Sequence, residues 1–420
     1  MRAPGAISFF IVLLILLRAT PGNSYAVLTH EAIIDACWDK SIKPLLLKRF
    51  PNSSEDDLRK AHACAYGGSI IPDIGYYPMG SLYFSNLVHY VRSGDFVVAM
   101  IDESTNLREY AFALGALCHY EADRLGHSIA TNKAVPILFK RLRKKYGEDV
   151  TYEQGKDEHG RVEFGFDVLQ TARGNYATMA YHDFIGFDVC DSVLNRAFLK
   201  TYGLHLEDVF TSLPAAIAIF RFSVKVILPE LTKDAWKIKK SFITQLNPLA
   251  TEKTYLYKMD RKNYRKEFNR PKPQTFLISL FIGVLPKYGP LSRFRPLVPN
   301  PEVEKLFEKS YDAIRQRYTA ALDKLHSGPP SLVNIDLDTG SKEQFGEYKL
   351  EDNTYYKLLL TLSKKHFEDV DEHLAKKIAA HFSDRGSTSD FRPDSRKGKK
   401  VSKALTQLQR ARETMGTGIR

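Results

Sequence analysis

The chain has 420 residues, 44% of them hydrophobic, and a formal net charge of +12. The hydrophobic share excludes a wholly disordered chain, and the length admits two or three domains or one large core with appendages. The charge is uneven: residues 385–420 hold ten Lys/Arg against three Asp/Glu, a surplus of seven, so the net charge is weak evidence for a nucleic-acid groove in the mildly basic body of the protein.

Residues 1–24 read as a signal peptide. Arg2 supplies the positive start, and Phe9 to Leu17 is an unbroken apolar run too short to span a bilayer comfortably. Gly22 and Ser24 stand at −3 and −1 of a cut before Tyr25. That predicts a secreted or extracytoplasmic protein; the rival is a membrane anchor formed by residues 6–17. Export would permit disulfides, and Cys37, Cys64, Cys118 and Cys190 allow three pairings. Their spacing is unlike a zinc finger and does not choose between bridges and buried thiols.

Residues 28–48 carry Ile33, Ile34, Cys37 and Trp38 at helical spacing, with Thr29 as the N-cap candidate and His30 in the first turn. A second helix is predicted from Ser54, with Asp57 three residues on, to Ala65. Residues 66–80 hold four Gly and two Pro and predict a loop, with Asp73 held between Pro72 and Gly75. Phe84, Leu87, Val88 and Val91 then predict a helix bearing His89. The next helix, from about Asn106 to Ser128, places His119, Asp123 and His127 at i, i+4 and i+8, one turn apart on one face. Residues 140–162 read as a polar loop containing His159, with Glu163 and Asp167 following at steps of four. Residues 176–230 have helical spacing punctuated by Pro214 and Pro229. No strand ladder is visible, so the body reads as an all-α helical bundle.

Residues 233–273 are strongly charged and predicted helical as far as Arg270-Pro271. Phe276 to Leu285 is apolar but too short for a transmembrane span; it is either a buried helix or an interfacial patch making peripheral membrane contact. Residues 300–326 predict an amphipathic helix with Val303, Leu306, Phe307, Tyr311, Ile314 and Tyr318 on one face, and residues 350–382 a smaller helical piece. Residues 384–420 predict a disordered basic tail.

His30, Asp73, His89, His119, Asp123, His127, His159 and Glu163 gather five of the chain's twelve histidines and three carboxylates within 140 residues. Imidazoles and carboxylates are zinc ligands, and helical bundles build multi-metal sites from side chains that project inward off facing helices. In order and spacing this set resembles the zinc-dependent phospholipases C and their relatives, the single-strand-specific zinc nucleases. Those enzymes are helical and hold three zinc ions through the mature N-terminal residue, His, Asp, His, H-x-x-x-D, His and H-x-x-x-E/D. Here the matching positions are Tyr25, His30, Asp73, His89, His119 to Asp123, His127 and His159 to Glu163. The chain departs from the pattern in having Tyr rather than Trp at residue 25, and four residues rather than six from Asp123 to His127.

The resemblance implies that Asp73, His89, His119 and Asp123 hold one zinc ion and that His127, His159 and Glu163 hold a second. Tyr25, His30 and Asp123 would hold a third, with Asp73 as ligand, general base or both. It divides the chain into a signal peptide (1–24), a catalytic domain (25–232), a helical extension packed on it (233–330), a small helical segment (331–383) and the tail (384–420). Tyr66, Tyr76 and Tyr77 are candidates for a substrate wall or for plain packing. The expected function is a zinc-dependent phosphodiesterase acting on phospholipid head groups. The rivals are a single-strand nuclease, with nucleic acid as substrate, and a non-catalytic zinc-binding module at the cell surface.

Overall fold

The computed structural model describes residues 27–173, 187–224, 297, 299–328, 331–383 and 390–417, with isolated positions 240, 241, 244 and 248. The described residues are all-α, with a single isolated antiparallel bridge between Ile335 and Lys342. In chain order the helices are α1 Val27–Cys37, α2 Lys43–Arg49, α3 Glu55–Ile70, α4 Leu82–Tyr90, α5 Ser93–Asp102, α6 Leu107–Gly126, α7 Asn132–Leu138 and α8 Lys140–Tyr146. They continue as α9 Lys156–Arg173, α10 Asp191–Tyr202, α11 Leu213–Phe222, α12 Pro301–Lys324, α13 Lys349–Lys364, α14 Glu372–His381 and α15 Arg396–Thr417. No helix among the described residues is long and apolar enough to cross a membrane. Tyr25 and the apolar run 276–285 lie outside the described residues.

The bundle is built around α6. Ala111, Phe112, Ala113 and Leu114 are consecutive and fully shielded, so this helix is covered on every side rather than along one stripe. Asn106 starts it, accepting from the Glu109 N–H through its side chain. Helix α3 crosses it closely. A Cβ on Gly68 would stand 1.9 Å from the carbonyl oxygen of Phe112, and one on Gly115 would stand 2.1 Å from that of Ala65. These glycines let two backbones touch. That overturns the predicted loop at 66–80: Gly67 and Gly68 belong to α3, which runs on to Ile70, and a 3-10 turn over Ile71–Tyr76 carries Asp73. The Ser54–Asp57 capping box is present as expected.

Two other expectations are corrected. Thr29 is not an N-cap. Helix α1 is already under way at Val27, and the Thr29 hydroxyl donates to Asp167 Oδ1 at 3.0 Å. The stretch 140–162 is not one loop, because α8 lies within it and His159 rides in the first turns of α9.

Helix α12 seats on α6 as its pattern predicts. Val303, Phe307, Ile314 and Tyr318 are buried, and the Tyr318 hydroxyl donates to the Leu114 carbonyl at 2.9 Å. One hydrophobic core takes in residues from Val27 to Leu408. The disordered tail is also overturned: α15 occupies Arg396–Thr417 and buries Val401, Ala404 and Leu408. Those apolar residues form a sparse stripe on a helix rich in cations. Its Arg412 clasps Glu372 of α14 with two nitrogens, at 3.0 and 2.6 Å. All four cysteines are free thiols, with the sulfurs of Cys64 and Cys190 3.4 Å apart.

Candidate metal centre

Residues four apart on an α-helix drift by about 40° around the axis, so eight residues turn a side chain by about 80° and carry it about 12 Å along. His119 and Asp123 therefore face one point, while His127 fans away. It closes the regular helix by donating its N–H to the Asp123 carbonyl. A π turn, His127–Thr131, comes at once, with the Asn132 N–H reaching back to the His127 carbonyl. The three residues thus split between two clusters.

In the first cluster, Asp73, His89, His119 and Asp123 each offer a donor atom within 4.8 Å of all the others, and all four are buried. His89 Nε2 stands 3.4 Å from Asp73 Oδ1 and 3.3 Å from Asp123 Oδ2, and His119 Nε2 is 3.3 Å from the same Asp123 oxygen. The two Nε2 atoms are 3.2 Å apart. The opposite ring nitrogens face carbonyls, which can only accept: His89 Nδ1 donates to Ser85 at 2.7 Å and His119 Nδ1 to Ser69 at 3.0 Å. In the neutral rings both Nε2 lone pairs are thereby aimed inward. The Ser85 hydroxyl also donates to the Pro72 carbonyl and accepts from the Gly75 N–H, which pins the turn that carries Asp73.

Asp123 reaches further with its other oxygen, 3.2 Å from His30 Nε2. Helix α1 is held there by Asp167, whose carboxylate accepts from the Leu28 and Thr29 backbone N–H groups; an anion at a helix start is favourable. Asp167, the third member of the i, i+4 series on α9, thus serves α1 and joins neither cluster.

In the second cluster, Glu163 Oε1 lies 3.5 Å from His127 Nε2 and 3.9 Å from His159 Nδ1. His159 donates from Nε2 to the Val150 carbonyl at 2.6 Å, which leaves Nδ1 pointing at Glu163. His127 is held through Nδ1 by Asp338 Oδ1 at 3.1 Å.

The first cluster suits a divalent cation. The carboxylate oxygens of Asp73, Asp123 and Glu163, with His127 Nε2 and His159 Nδ1, are buried and have no hydrogen-bond partner. Buried polar atoms in that state are costly unless something satisfies them. Within the network the same pressure appears as proton competition. Burial works against a charge on His89, yet its contacts with Asp123 and Asp73 outweigh it and lift the ring to about 10. Burial wins at His119 and His159, which fall to about 4. Burial also drives Glu163 well above the usual carboxylate range. Asp123 goes the other way: burial opposes its charge, and the surrounding histidines hold it well below that range. Mixed imidazole and carboxylate ligands are those of catalytic rather than closed structural zinc sites.

Sequence reasoning reached every member of these clusters within the described residues. It missed Asp338, which stands 211 residues from His127 in the chain and carries no local mark. Of the tyrosines considered as a substrate wall, Tyr66 turns away to Asp35 and His62. Tyr76 packs edge-on against His89 and Tyr152, and half-buried Tyr77 rests on Phe220.

Residues 29–212 match the protein-family model described as zinc dependent phospholipase C. No curated protein and no solved structure matches the chain.

Proposed function

We propose, from the match of residues 29–212 to the zinc dependent phospholipase C family model, that the protein is a zinc-dependent phosphodiester hydrolase acting on phospholipid head groups. The observation that carries this reading is the convergence of Asp73, His89, His119 and Asp123 on one buried point. On this proposal those four hold one ion and His127, His159 and Glu163 a second. Asp123 is shared with a third at His30 and the amino terminus, where Tyr25 would follow a cut after Ser24. The chain is then an exported enzyme, and 276–285 is its contact with the lipid surface.

Zinc at these positions would polarise the phosphodiester and bring the pKa of a bound water toward neutrality. The protein's part is to hold the ligands still and to manage protons. Asp73 Oδ2 lies 3.9 Å from His119 Nδ1 and outside the closest imidazole contacts; it is the proposed acceptor for the proton of the attacking water. The carbonyls of Ser85, Ser69 and Val150 keep His89, His119 and His159 in the tautomers that a cation requires.

The test is hydrolysis of phosphatidylcholine and of single-stranded DNA by the purified mature protein, each with and without a zinc chelator. Chelator-sensitive release of a phosphorylated head group is the expected result. Chelator-sensitive cleavage of DNA alone would replace the lipid substrate with nucleic acid. Bound zinc with no turnover of either would overturn the lipid assignment and leave the metal centre in place.

A further inference from the structure

We propose that Asp338, which lies outside the phospholipase domain, is the positioning residue of the His127–His159–Glu163 cluster and makes that half of the centre depend on the C-terminal part of the chain. The inference rests on reading these residues as a metal site.

The geometry is specific. Asp338 is buried, and each of its polar side-chain atoms is engaged. Oδ1 faces His127 Nδ1 at 3.1 Å, while Oδ2 accepts from the Tyr348 hydroxyl at 2.5 Å and from the Tyr152 backbone N–H at 2.9 Å. With Nδ1 donating to a carboxylate, His127 must present Nε2 to Glu163. Three other histidines lean on carbonyls within residues 29–212: His89 on Ser85, His119 on Ser69 and His159 on Val150. His127 instead leans on a charge, which makes an imidazole a stronger ligand than a neutral acceptor does.

The segment that brings Asp338 is fixed for the task. Its own carbonyl accepts from Asn132 Nδ2 at 2.8 Å, beside the π turn. The Leu337 N–H donates to the His89 carbonyl at 3.1 Å, which ties the same strap to the first cluster. Asp336 turns the chain locally: its Oδ1 accepts from the Asp338 N–H at 2.8 Å, and its carbonyl accepts from the Gly340 N–H at 2.8 Å. Gly340 completes the turn at φ +74°, a conformation that favours glycine. Tyr120 reaches across from α6 and donates to the Val333 carbonyl at 2.7 Å.

The experiment uses the full-length mature protein. Zinc per chain is measured by atomic absorption, and affinity by competition with a graded series of chelators. Wild type is compared with Asp338→Ala, Asp338→Asn and Tyr348→Phe, with circular dichroism to establish folding. Asp338→Ala should lose one zinc equivalent while the remainder stays bound. Asp338→Asn keeps an oxygen for His127 but removes the charge, and should weaken that same equivalent by about 10–100-fold. Tyr348→Phe, which strips one donor from the carboxylate, should weaken it by a smaller factor. A folded Asp338→Ala or Asp338→Asn protein with wild-type stoichiometry and affinity overturns the proposal. So does parallel loss of every ion. Should both Asp338 variants fail to fold, unchanged zinc affinity in Tyr348→Phe overturns it. A wild-type protein that binds no zinc overturns this inference together with the metal reading. A wild-type protein that binds zinc but spares phospholipid touches only the substrate assignment.

Discussion

Asp123 is the side chain on which most of the centre turns, because one oxygen faces His89 and His119 while the other faces His30. Removing a partner behind a ligand costs about 10–100-fold, so Asp123→Ala should lose more than about 100-fold in hydrolysis and release zinc. Metal analysis beside a turnover assay checks this, and full zinc retention would contradict it. A second residue gives a pH signature away from the candidate metal centre. Burial raises the Glu343 carboxyl to about 7, and its partners are the Tyr355 hydroxyl at 2.7 Å and the Arg92 N–H. An acid raised on folding contributes fully below the ordinary carboxylate range and loses that contribution as pH climbs through 7. Glu343→Gln should therefore gain on wild type by about 3 kcal/mol between pH 4 and 8, read from paired unfolding curves; a constant difference across that range would exclude the ionisation. At this scale the sequence was most legible where candidate ligands share a helix. His119 and Asp123, or His159 and Glu163, are four apart and must face together. Asp338 was not legible, because only the path of the chain over 211 residues brings it to His127.

Among the elements, helix ends and amphipathic faces followed local rules that can be read directly. Ser54 caps α3, and the buried stripe of α12 falls where its apolar residues recur. Ser54→Ala should cost about 1 kcal/mol in denaturant unfolding. Crossings between helices were harder to read, because glycine has two opposed meanings. In isolation Gly67 and Gly68 look like breakers; in the bundle they are the places where α3 meets Asp188 and α6 with no room for a side chain. Gly115→Ala tests the second meaning. Its methyl would stand 2.1 Å from the Ala65 carbonyl, so it should destabilise by at least about 1–3 kcal/mol. It should also loosen zinc, since α3 supplies the Ser69 carbonyl that orients His119. An unfolding midpoint equal to wild type would show that the helices part without cost.

Over the whole molecule, the described C-terminal segments share one hydrophobic core with the matched residues 29–212. Arg92, between α4 and α5, ties the two parts together: its backbone N–H donates to Glu343 and its guanidinium to His373 Nδ1 on the C-terminal side, while the same guanidinium donates to the Thr201 carbonyl and its Nε pairs with Asp95 at 2.8 Å. Helix α15 adds Val401, Ala404 and Leu408 to the core, with Phe391 just before it. Burial of a large apolar side chain is worth about 1.5–3 kcal/mol. A chain ending at Ser383 should thus lose about 5 kcal/mol, a large part of the stability of a typical domain, and its melting temperature should fall accordingly; an unshifted melt would contradict this packing. Composition concealed this helix. Ten cations in the last 36 residues read as a solvated tail, whereas three apolar positions at helical spacing were enough to dock it.

The π turn after His127 has a consequence for how such a chain can change over generations. A π turn holds one residue more than the α turn it replaces, so it behaves as a slip joint. A residue gained or lost there rotates the downstream helix and leaves the upstream one in phase. His119 and Asp123 lie before the joint, and Asn132, which grips the Asp338 carbonyl, lies after it. The first cluster and the strap that serves the second can therefore drift in spacing independently. In a related chain, a residue gained or lost within the turn would leave the Asp123–His127 spacing as it is and shift only Asn132 and the helix beyond it.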